Sequence, residues 1–575
     1  MPYQLKPLPK LKGLNYKDDP YNLGGGMYDC RNIKINEDGT REITPGYATQ
    51  LDNGAGFIPS MYSWMRESGT EQIYFIYTTK LYLLNANYTS TEKDSGLTTN
   101  LKTGFLNYSD RLYYGNGTDS NRKYDGTNVR NWGIVAPAVA PTYVSESADG
   151  SLALISTYGF RYTYWNNNDG VESEGSTTVS HLLTGANNAI TIGVTASADA
   201  QVTHIRIYRT LANGSIYYRD QQVANTTASI KSTNSDTTVG GGVVYYTAGY
   251  VPPPKSKIMA VYNNMAFLVD ADNPYQCRYS ENGQLGGGYI EYFKAANVLA
   301  AEVAFTGIAV VPNGIIMFEK DKAILYAGST PSQFVPLPLS SRIGCINHES
   351  IAYWNKMPIW CDENSIYIYD GSKIVDIGAN IKTSPTAAIA TFQKSDKSKA
   401  VGVVNPNKNE YRLCTASTGT TGLNDEIWRV NLNTQDWTRQ DTQTFLSMVY
   451  KRSNDTLLAG GRADGVICLL DSGTTHDGTA IVSYFQSEFM NLSGNPTFKL
   501  LREFILNARA TGNLTLALTT EKDAAKNYTI VPDDNKYFLR RIIMYLVGKN
   551  NNLLFLIYNI TNVNGLFDSD PKTNK

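Results

Sequence analysis

Short apolar runs that stop at Asp, Asn or Gly recur along most of this chain, and their spacing constrains the fold more than any other feature. Segments such as "IYFIYTTKLYLLNAN", "RLYYGNG", "SIYIYDGSKIV" and "VICLLDSG" alternate with period two and end in turn residues, as strands do, whereas sustained helical periodicity is scarce. Taking the residue before each turn as a marker gives Leu84, Tyr124, Val269, Tyr326, Tyr369, Leu432 and Leu470, with separations of 40, 145, 57, 43, 63 and 38. Three of these are close to the roughly 40 to 45 residues of a four-stranded propeller blade, and two others suit blades with extended loops. The spacing predicts an all-β chain whose main body is a β-propeller of seven blades, within a range of six to eight, over residues 15–485.

The interval of 145 stands apart, and it contains a segment bracketed by "VAPAVAPT" and "PPP". Proline stiffens a linker and cannot donate to a strand ladder, so such brackets mark boundaries. Between them, "YGFRYTYWNNNDGVESEGS", "AITIGVT", "VTHIRIYRT" and "GSIYYRDQQV" read as short alternating strands. About 110 residues of this kind suit a fibronectin- or immunoglobulin-like sandwich, with Tyr162, Tyr164, Ile205 and Ile207 as core positions. The alternative is further blades of irregular length.

After residue 483 the pattern changes to "FKLLREFILNARATGNLTLALTT" and "KYFLRRIIMYLVGKNNNLLFLIYNI". Residues 498–510 have a helical reading, but enrichment in Thr, Ile, Phe and Tyr favours strands. The expected organisation is an N-terminal hairpin with the first blades over 1–136, the sandwich over 137–254, the remaining blades over 255–483 and a C-terminal β domain over 484–575.

Composition narrows the partners. Lys and Arg total 51 against 52 for Asp and Glu, a formal charge of -1, so no global field recruits DNA or an anionic membrane. Forty Tyr and 48 Gly favour pleated sheets joined by tight turns. The six cysteines are scattered, form no C-x-x-C and lack histidines at ligand spacing, which points to buried, reduced thiols. The first residues show no continuous apolar stretch of a secretory signal, so folding in a cytoplasm is expected. The longest strongly apolar run, "LLFLIY", falls well short of the ~20 residues of a membrane helix, and no membrane span is expected.

Residues 23–47, "LGGGMYDCRNIKINEDGTREITPGY", pose a sharper question, because a triple glycine can cradle a phosphate. A phosphate loop sits between a strand and a helix and ends in Lys-Ser or Lys-Thr, which this stretch lacks. It reads as a turn at Gly24 to Gly26, a strand "CRNIKIN", a reversal at "EDGT" and a returning strand "REITPGY". This hairpin is expected to close the propeller by pairing with a late blade, which removes open sheet edges.

The same stretch carries a resemblance. Gly13, Leu14, Asn15, Asp19, Pro20, Leu23, Gly26, Asn32, Gly39, Arg41, Pro45 and Gly46 follow an order similar to the N-terminal signature of tail nozzle and tail hub proteins of short-tailed bacteriophages, also called packaged-DNA stabilisation proteins. "DGVESEGS" with "VTHIRIYRTLANGSIYY", and "NPYQCRYSENGQ" beyond them, resemble segments of such virion proteins too. The resemblance implies a structural protein of the virion tail, assembled in the bacterial host cytoplasm. It implies a homo-oligomeric ring, sixfold as in related hubs and nozzles, next to portal, adaptor and other tail proteins. Such a ring extends the DNA channel, retains packaged DNA and touches the duplex transiently and without sequence preference at ejection. The near-neutral charge suits a channel through which DNA must slide, since phosphate binding tightens with every cation engaged.

Catalysis has little to stand on. Sialidase-like Ser-x-Asp-x-Gly-x-Thr-Trp repeats are absent, and "NLNTQDWTRQ" lacks the glycine spacing. His181, His204, His348 and His476 are dispersed, and His348 beside Glu349 on a strand would point to the opposite face. "DADN" resembles part of a calcium loop but lacks the turn Gly and the closing Glu, and reads as a turn. Arg540 and Arg541 are expected to face solvent, and Trp354, Trp360, Trp428 and Trp437 to fill blade cores. No catalytic, cofactor-binding or metal-binding residue is assigned, and no enzyme is expected. The competing function is a carbohydrate-binding or carbohydrate-degrading propeller, such as a receptor-binding tail protein.

Overall fold

The computed structural model describes residues 12–18, 23–36, 40–282, 290–382, 391–417, 424–442, 444–461 and 464–487, and beyond these only the backbone of six strands. Seven antiparallel four-stranded units follow one another: blade 1 over 61–94, blade 2 over 104–131, blade 3 over 259–300, blade 4 over 307–340, blade 5 over 352–376, blade 6 over 396–441, and blade 7 over 445–470. Blade 7 supplies three strands of its own and takes its fourth, Tyr47–Asp52, from the other end of the chain, with Tyr47 opposite Leu470 and Asp52 opposite Val466. The propeller is closed by this exchange.

Packing explains why the second strands read as nearly unbroken apolar runs. Side chains of a strand alternate between two faces, and in a blade both faces meet another blade. In the second strand of blade 1, Glu71–Tyr77, Ile73 and Phe75 pack against Val449, Leu458 and Ile467 of blade 7. Their neighbours Tyr74 and Ile76 pack against Leu112, Tyr114 and Tyr124 of blade 2. The pattern repeats in Gly314–Phe318, where Ile315 and Met317 face blade 3 while Ile316 and Phe318 face blade 5. Each of the seven blade junctions has its own buried cluster. Trp360, Trp428 and Trp437 are fully buried in them, and Trp354 is half-buried with its indole N–H on Asn409 Oδ1 at 3.0 Å. All six cysteines are buried and free, and all six lie within these junction clusters: Cys30 and Cys361 in one, Cys414 and Cys468 in another, and Cys277 and Cys345 in one each.

The insert forms between blades 2 and 3. A three-stranded sheet, Thr142–Ser147, Ala189–Gly193 and Ser229–Ser232, faces a five-stranded one built on Thr157–Asn166 and His204–Thr210. Tyr162 pairs with Ile207 and Tyr164 with Ile205, and all four are buried against Ile190, Ile192 and Ile230 of the opposite sheet. This is a sandwich with one shared core.

The N-terminal stretch keeps the inner part of the expected hairpin, Ile33–Ile35 against Arg41–Ile43, and departs from it on either side. "CRNIKIN" is not one strand: Asn32 adopts a left-handed φ of 56°, which Asn tolerates, and splits it. Asp29–Arg31 pairs with Tyr484–Gln486 near the C-terminal end, while Ile33–Ile35 pairs with Arg41–Ile43 as an isolated two-stranded sheet. The closing strand of the propeller is therefore the next one, Tyr47–Asp52, and not the hairpin itself. Asn32 holds the branch point: its N–H donates to Arg439 O at 2.9 Å, its side-chain amide donates to Val482 O at 2.8 Å and its Oδ1 accepts from Asp441 N at 2.8 Å.

Beyond residue 487, Lys499–Arg509 is a strand paired with Tyr537–Gly548, in line with the strand reading that the enrichment in Thr, Ile, Phe and Tyr favours. Asn552–Tyr558 runs between Leu514–Thr520 and Tyr484–Gln486, joining the last strands to the N-terminal Asp29–Arg31. The side chains of Arg540 and Arg541 lie outside the described residues, as do Asp19, Pro20 and Gly39 of the N-terminal signature.

Candidate functional site

A densely bonded, buried polar centre lies where the insert meets the propeller, and its hub is Glu172. The preceding turn "NNNDG" is closed by Asn166, whose Oδ1 accepts from the N–H groups of Asn168 and Asp169 at 3.0 and 3.3 Å, with Gly170 at a φ of 67°. This sets Glu172 opposite Trp165. Its carboxylate is wholly buried and fully engaged: Oε1 accepts from Thr163 Oγ1 at 2.5 Å and Tyr208 OH at 2.8 Å, and Oε2 from Arg206 Nη1 at 2.7 Å and Tyr246 OH at 2.8 Å. The Arg206 guanidinium also lies over the Trp165 ring, 3.2 Å from its centroid. Burial first, and the Glu172 charge second, push the Tyr208 and Tyr246 phenols far up, so both stay protonated donors.

A second set of bonds crosses into the propeller. Tyr292, beside blade 3, accepts from the Glu172 N–H and donates to Gly170 O, both at 3.0 Å, and its ring stacks on Tyr250 at 4.6 Å. Lys123 on the third strand of blade 2 bridges Asp169 Oδ2 at 2.9 Å and Glu291 Oε1 at 2.6 Å, while Arg111 reaches Asp169 Oδ1 at 2.7 Å. Burial alone would raise the Asp169 carboxyl, but the Lys123 and Arg111 cations hold it below its ordinary value. Glu291 Oε2 accepts from Gly133 N at 2.9 Å, and Gln201 donates to Gly133 O at 2.9 Å. Paired, buried charges of this kind fix one docking geometry, because breaking any pair strands a charge away from water.

The histidines are not brought together. His181 bonds Glu146 at 2.6 Å and stacks on Tyr143, His204 contacts Thr203, and His476 stacks on Tyr47 at 4.7 Å. The placement of His348 and Glu349 on a strand is corrected: they form a 3-10 turn, His348–Ser350, because Asn347 Oδ1 caps it by accepting from Glu349 N at 3.3 Å. His348 Nδ1 accepts from Ile308 N at 3.4 Å, and burial lowers its pKa. In "DADN", Asp270 accepts from Asp272 N at 3.0 Å and from Arg278 Nε at 3.1 Å, which is turn chemistry. Among the described residues no group of three or more His, Cys, Asp or Glu is arranged to hold a metal ion. No described helix is long and apolar enough to cross a membrane.

Sequence reading missed Glu172 as a hub, although "DGVESEGS" contains it. The signal available was a carboxylate next to Val171 in a strand otherwise bound for burial, with "RIYR" nearby to supply Arg206 and Tyr208.

No protein-family model matches the chain, and no curated protein matches it. Solved structures do match: the Dos1 propeller at 10% identity and a TM-score of 0.34, covering 76% of this chain and 97% of the other, and virginiamycin B lyase from Staphylococcus aureus at 10% and 0.33, covering 74% and 97%. YCF48 from Cyanidioschyzon merolae matches at 9% identity and a TM-score of 0.24, covering 74% of this chain and 98% of the other.

Proposed function

We propose that the chain is a structural protein of a short-tailed phage tail, a hub or nozzle subunit that extends the DNA channel, retains the packaged genome and passes it at ejection. The reading rests on the sequence resemblance, and one structural observation carries it further: the described residues of that resemblance are spent on architecture. A Cβ on Gly13 would lie 2.3 Å from Trp437 N, and one on Gly46 only 1.7 Å from Thr475 O, so both glycines let distant backbone approach. Asn32 holds the branch point, Arg41 is buried, and Glu172 fastens the insert. Signature residues used in this way suit a rigid part in an assembly better than a reaction centre.

The partners follow from the same reading: a homo-oligomeric sixfold ring, neighbouring portal, adaptor and tail proteins, and sliding contact with double-stranded DNA, in virions assembled in the host cytoplasm. A closed ring needs two different complementary surfaces on each subunit. The carbohydrate reading calls for exposed aromatics gathered around acids. Among the described residues the exposed tyrosines Tyr143, Tyr275 and Tyr353 instead lie on the insert, on a turn of blade 3 and on the first strand of blade 5. Cryo-electron microscopy of virions from a phage carrying this gene tests the proposal. A symmetric ring of copies around the tail channel is the expected result, and one copy per tail, or density confined to receptor-contacting fibres, would overturn it.

A further inference from the structure

Ile155 is strained and exposed at once. It adopts a left-handed φ of 51°, and 74% of its surface faces solvent. A β-branched side chain crowds its own backbone in that region, and here it gains no burial inside the chain to offset the strain. Backbone strain of this kind persists where it serves a function.

The loop that carries it lies at the far end of the insert. Thr157 donates to Asn213 Oδ1 at 3.0 Å, accepts from Asn213 N at 2.9 Å and stands opposite Leu182 in the sheet, so three loops meet there. A fourth joins them where Arg219 N donates to Val243 O at 2.7 Å and Val244 bridges Tyr218. Together they expose Leu154, Ile155, Leu182, Ile216, Val243 and Val244. At ~3.3 Å per residue, the strand Thr157–Asn166 sets this apex about 30 Å from the end that Asp169 fastens to blade 2. Asp149 is paired with Lys231 at 2.6 Å and Asp236 with Arg209 at 2.7 Å, so these charges are spent within the chain and the apex offers apolar surface.

Blade 4 carries a second exposed apolar run, Val335, Pro336, Leu337 and Pro338 on its outer strand. Pro336 stands opposite Tyr326 and Pro338 opposite Ile324, so the two prolines share one side of the strand. A ladder needs N–H donors, which makes the proline side the free one. A further strand finds no donors there, and the run is left to bind side chains.

We propose that the apex of the insert docks on the outer strand of blade 4 in a second copy of this chain. Both patches are exposed, so one chain does not satisfy the one with the other. A projecting cluster of loops and a strand edge closed to further strands are the two unlike surfaces that head-to-tail contact requires. A bilayer is the poorer occupant, because segments that sit at a lipid interface anchor there with Trp or Tyr, and the six exposed side chains of the apex are all aliphatic. Six partly exposed aliphatic side chains cover less than the roughly 800 Å² that each partner of a stable complex buries, so free chains associate weakly. The contact rests on the ring proposed above, for which it names the two surfaces.

Disulfide trapping in the purified full chain tests this, since all six native cysteines are buried. Ile155→Cys mixed with Leu337→Cys and oxidised should give at least fivefold more mixed dimer than Ile155→Cys mixed with Lys373→Cys, a variant at an exposed turn of blade 5. Ile155→Asn should keep or raise the melting midpoint, because Asn tolerates the left-handed φ, while sedimentation equilibrium shows self-association weakened at least tenfold. The proposal is overturned if the 155–337 dimer does not exceed the control, if Ile155→Cys alone dimerises as readily, or if Ile155→Asn associates as the parent does. Flotation of the parent with phosphatidylcholine vesicles, lost in Ile155→Asn, would overturn it in favour of a bilayer. A symmetric ring in virions without the 155–337 cross-link leaves the proposed function standing and this contact wrong, and the cross-link without a ring does the reverse.

Discussion

The Tyr292 hydroxyl and the Glu172 backbone are joined at 3.0 Å across 120 residues of sequence, and the same hydroxyl donates at 3.0 Å to Gly170, so one phenol beside blade 3 grips the turn of the insert on both sides. The grip is only as good as the conformation of that turn, which the Glu172 carboxylate fixes through Arg206, Thr163, Tyr208 and Tyr246. Glu172→Ala leaves the Arg206 charge buried without its carboxylate, a defect that costs about 3–5 kcal/mol. Urea unfolding should show that loss, and hydrogen exchange should place it in Thr157–Asn166 and His204–Thr210 while the strands of blades 5 and 6 keep their protection. Unchanged exchange in those two strands would mean that Glu172 is not the hub.

The core of the insert is its own, since Tyr162, Tyr164, Ile205, Ile207, Ile190 and Ile230 pack on one another, with Ile134 and Tyr292 entering from its base. Replacing residues 141–252 with a short Gly-Ser linker should therefore leave a soluble, β-rich chain that melts cooperatively. The midpoint should fall, because Lys123 loses Asp169 and Tyr292 loses both of its backbone partners. Circular dichroism of the purified variant reads both outcomes. A collapsed, non-cooperative spectrum would show that the segment belongs to the blades.

Ring closure makes a separate demand. Gly46 accepts from Ser472 N at 3.0 Å and donates to Gly473 O at 3.1 Å just before the closing strand begins. A methyl at this position would meet the Thr475 carbonyl, which is backbone and cannot swing aside. Gly46→Ala should destabilise the chain by about 1–3 kcal/mol as overpacking does, with faster exchange in Tyr47–Asp52 and Val466–Leu470. Parent-like exchange there would show that the loop absorbs the methyl freely.

The blades were legible because both faces of their strands are buried, so apolar runs mark them without knowledge of partners. Six of the seven markers fall at or beside the third strand of a blade, from Leu84 and Tyr124 to Leu470. Val269 instead ends the second strand of blade 3, which distorts the two intervals around it. What escaped depends on long-range pairing. Nothing near Asn32 announces that Asp29–Arg31 belongs to a partner at Tyr484–Gln486 while Ile33–Ile35 turns to its neighbour. The cap that bends His348 and Glu349 into a turn is a single Asn347 hydrogen bond, too local to outweigh a strand-like run.

Two buried glutamates on blade 6 should give the protein opposite responses to pH. Glu426, opposite Asp441 in the sheet, has its carboxyl pushed up to about 7 from an ordinary 4.5, by burial foremost and by Asp425 and Asp441, against the opposing pull of Arg439 at 3.7 Å and of Arg31. A raised pKa means that the folded chain keeps a proton that the unfolded chain gives up, so this contribution is complete below 4.5 and is lost as pH rises through about 7. At about 1.4 kcal/mol per unit, the loss amounts to ~3 kcal/mol at most. Glu410, clasped by Arg412 at 2.9 Å and by Arg429, is held down at about 2, and its contribution is lost only as pH falls below 4.5. Urea midpoints at pH 5, 6, 7 and 8 separate the two, since Glu410 is silent over that range. The parent should lose stability from pH 5 to 8 relative to Glu426→Gln, whose amide cannot ionise. Parallel profiles for the two proteins would show that Glu426 keeps its charge when buried, and that Arg439 compensates it fully.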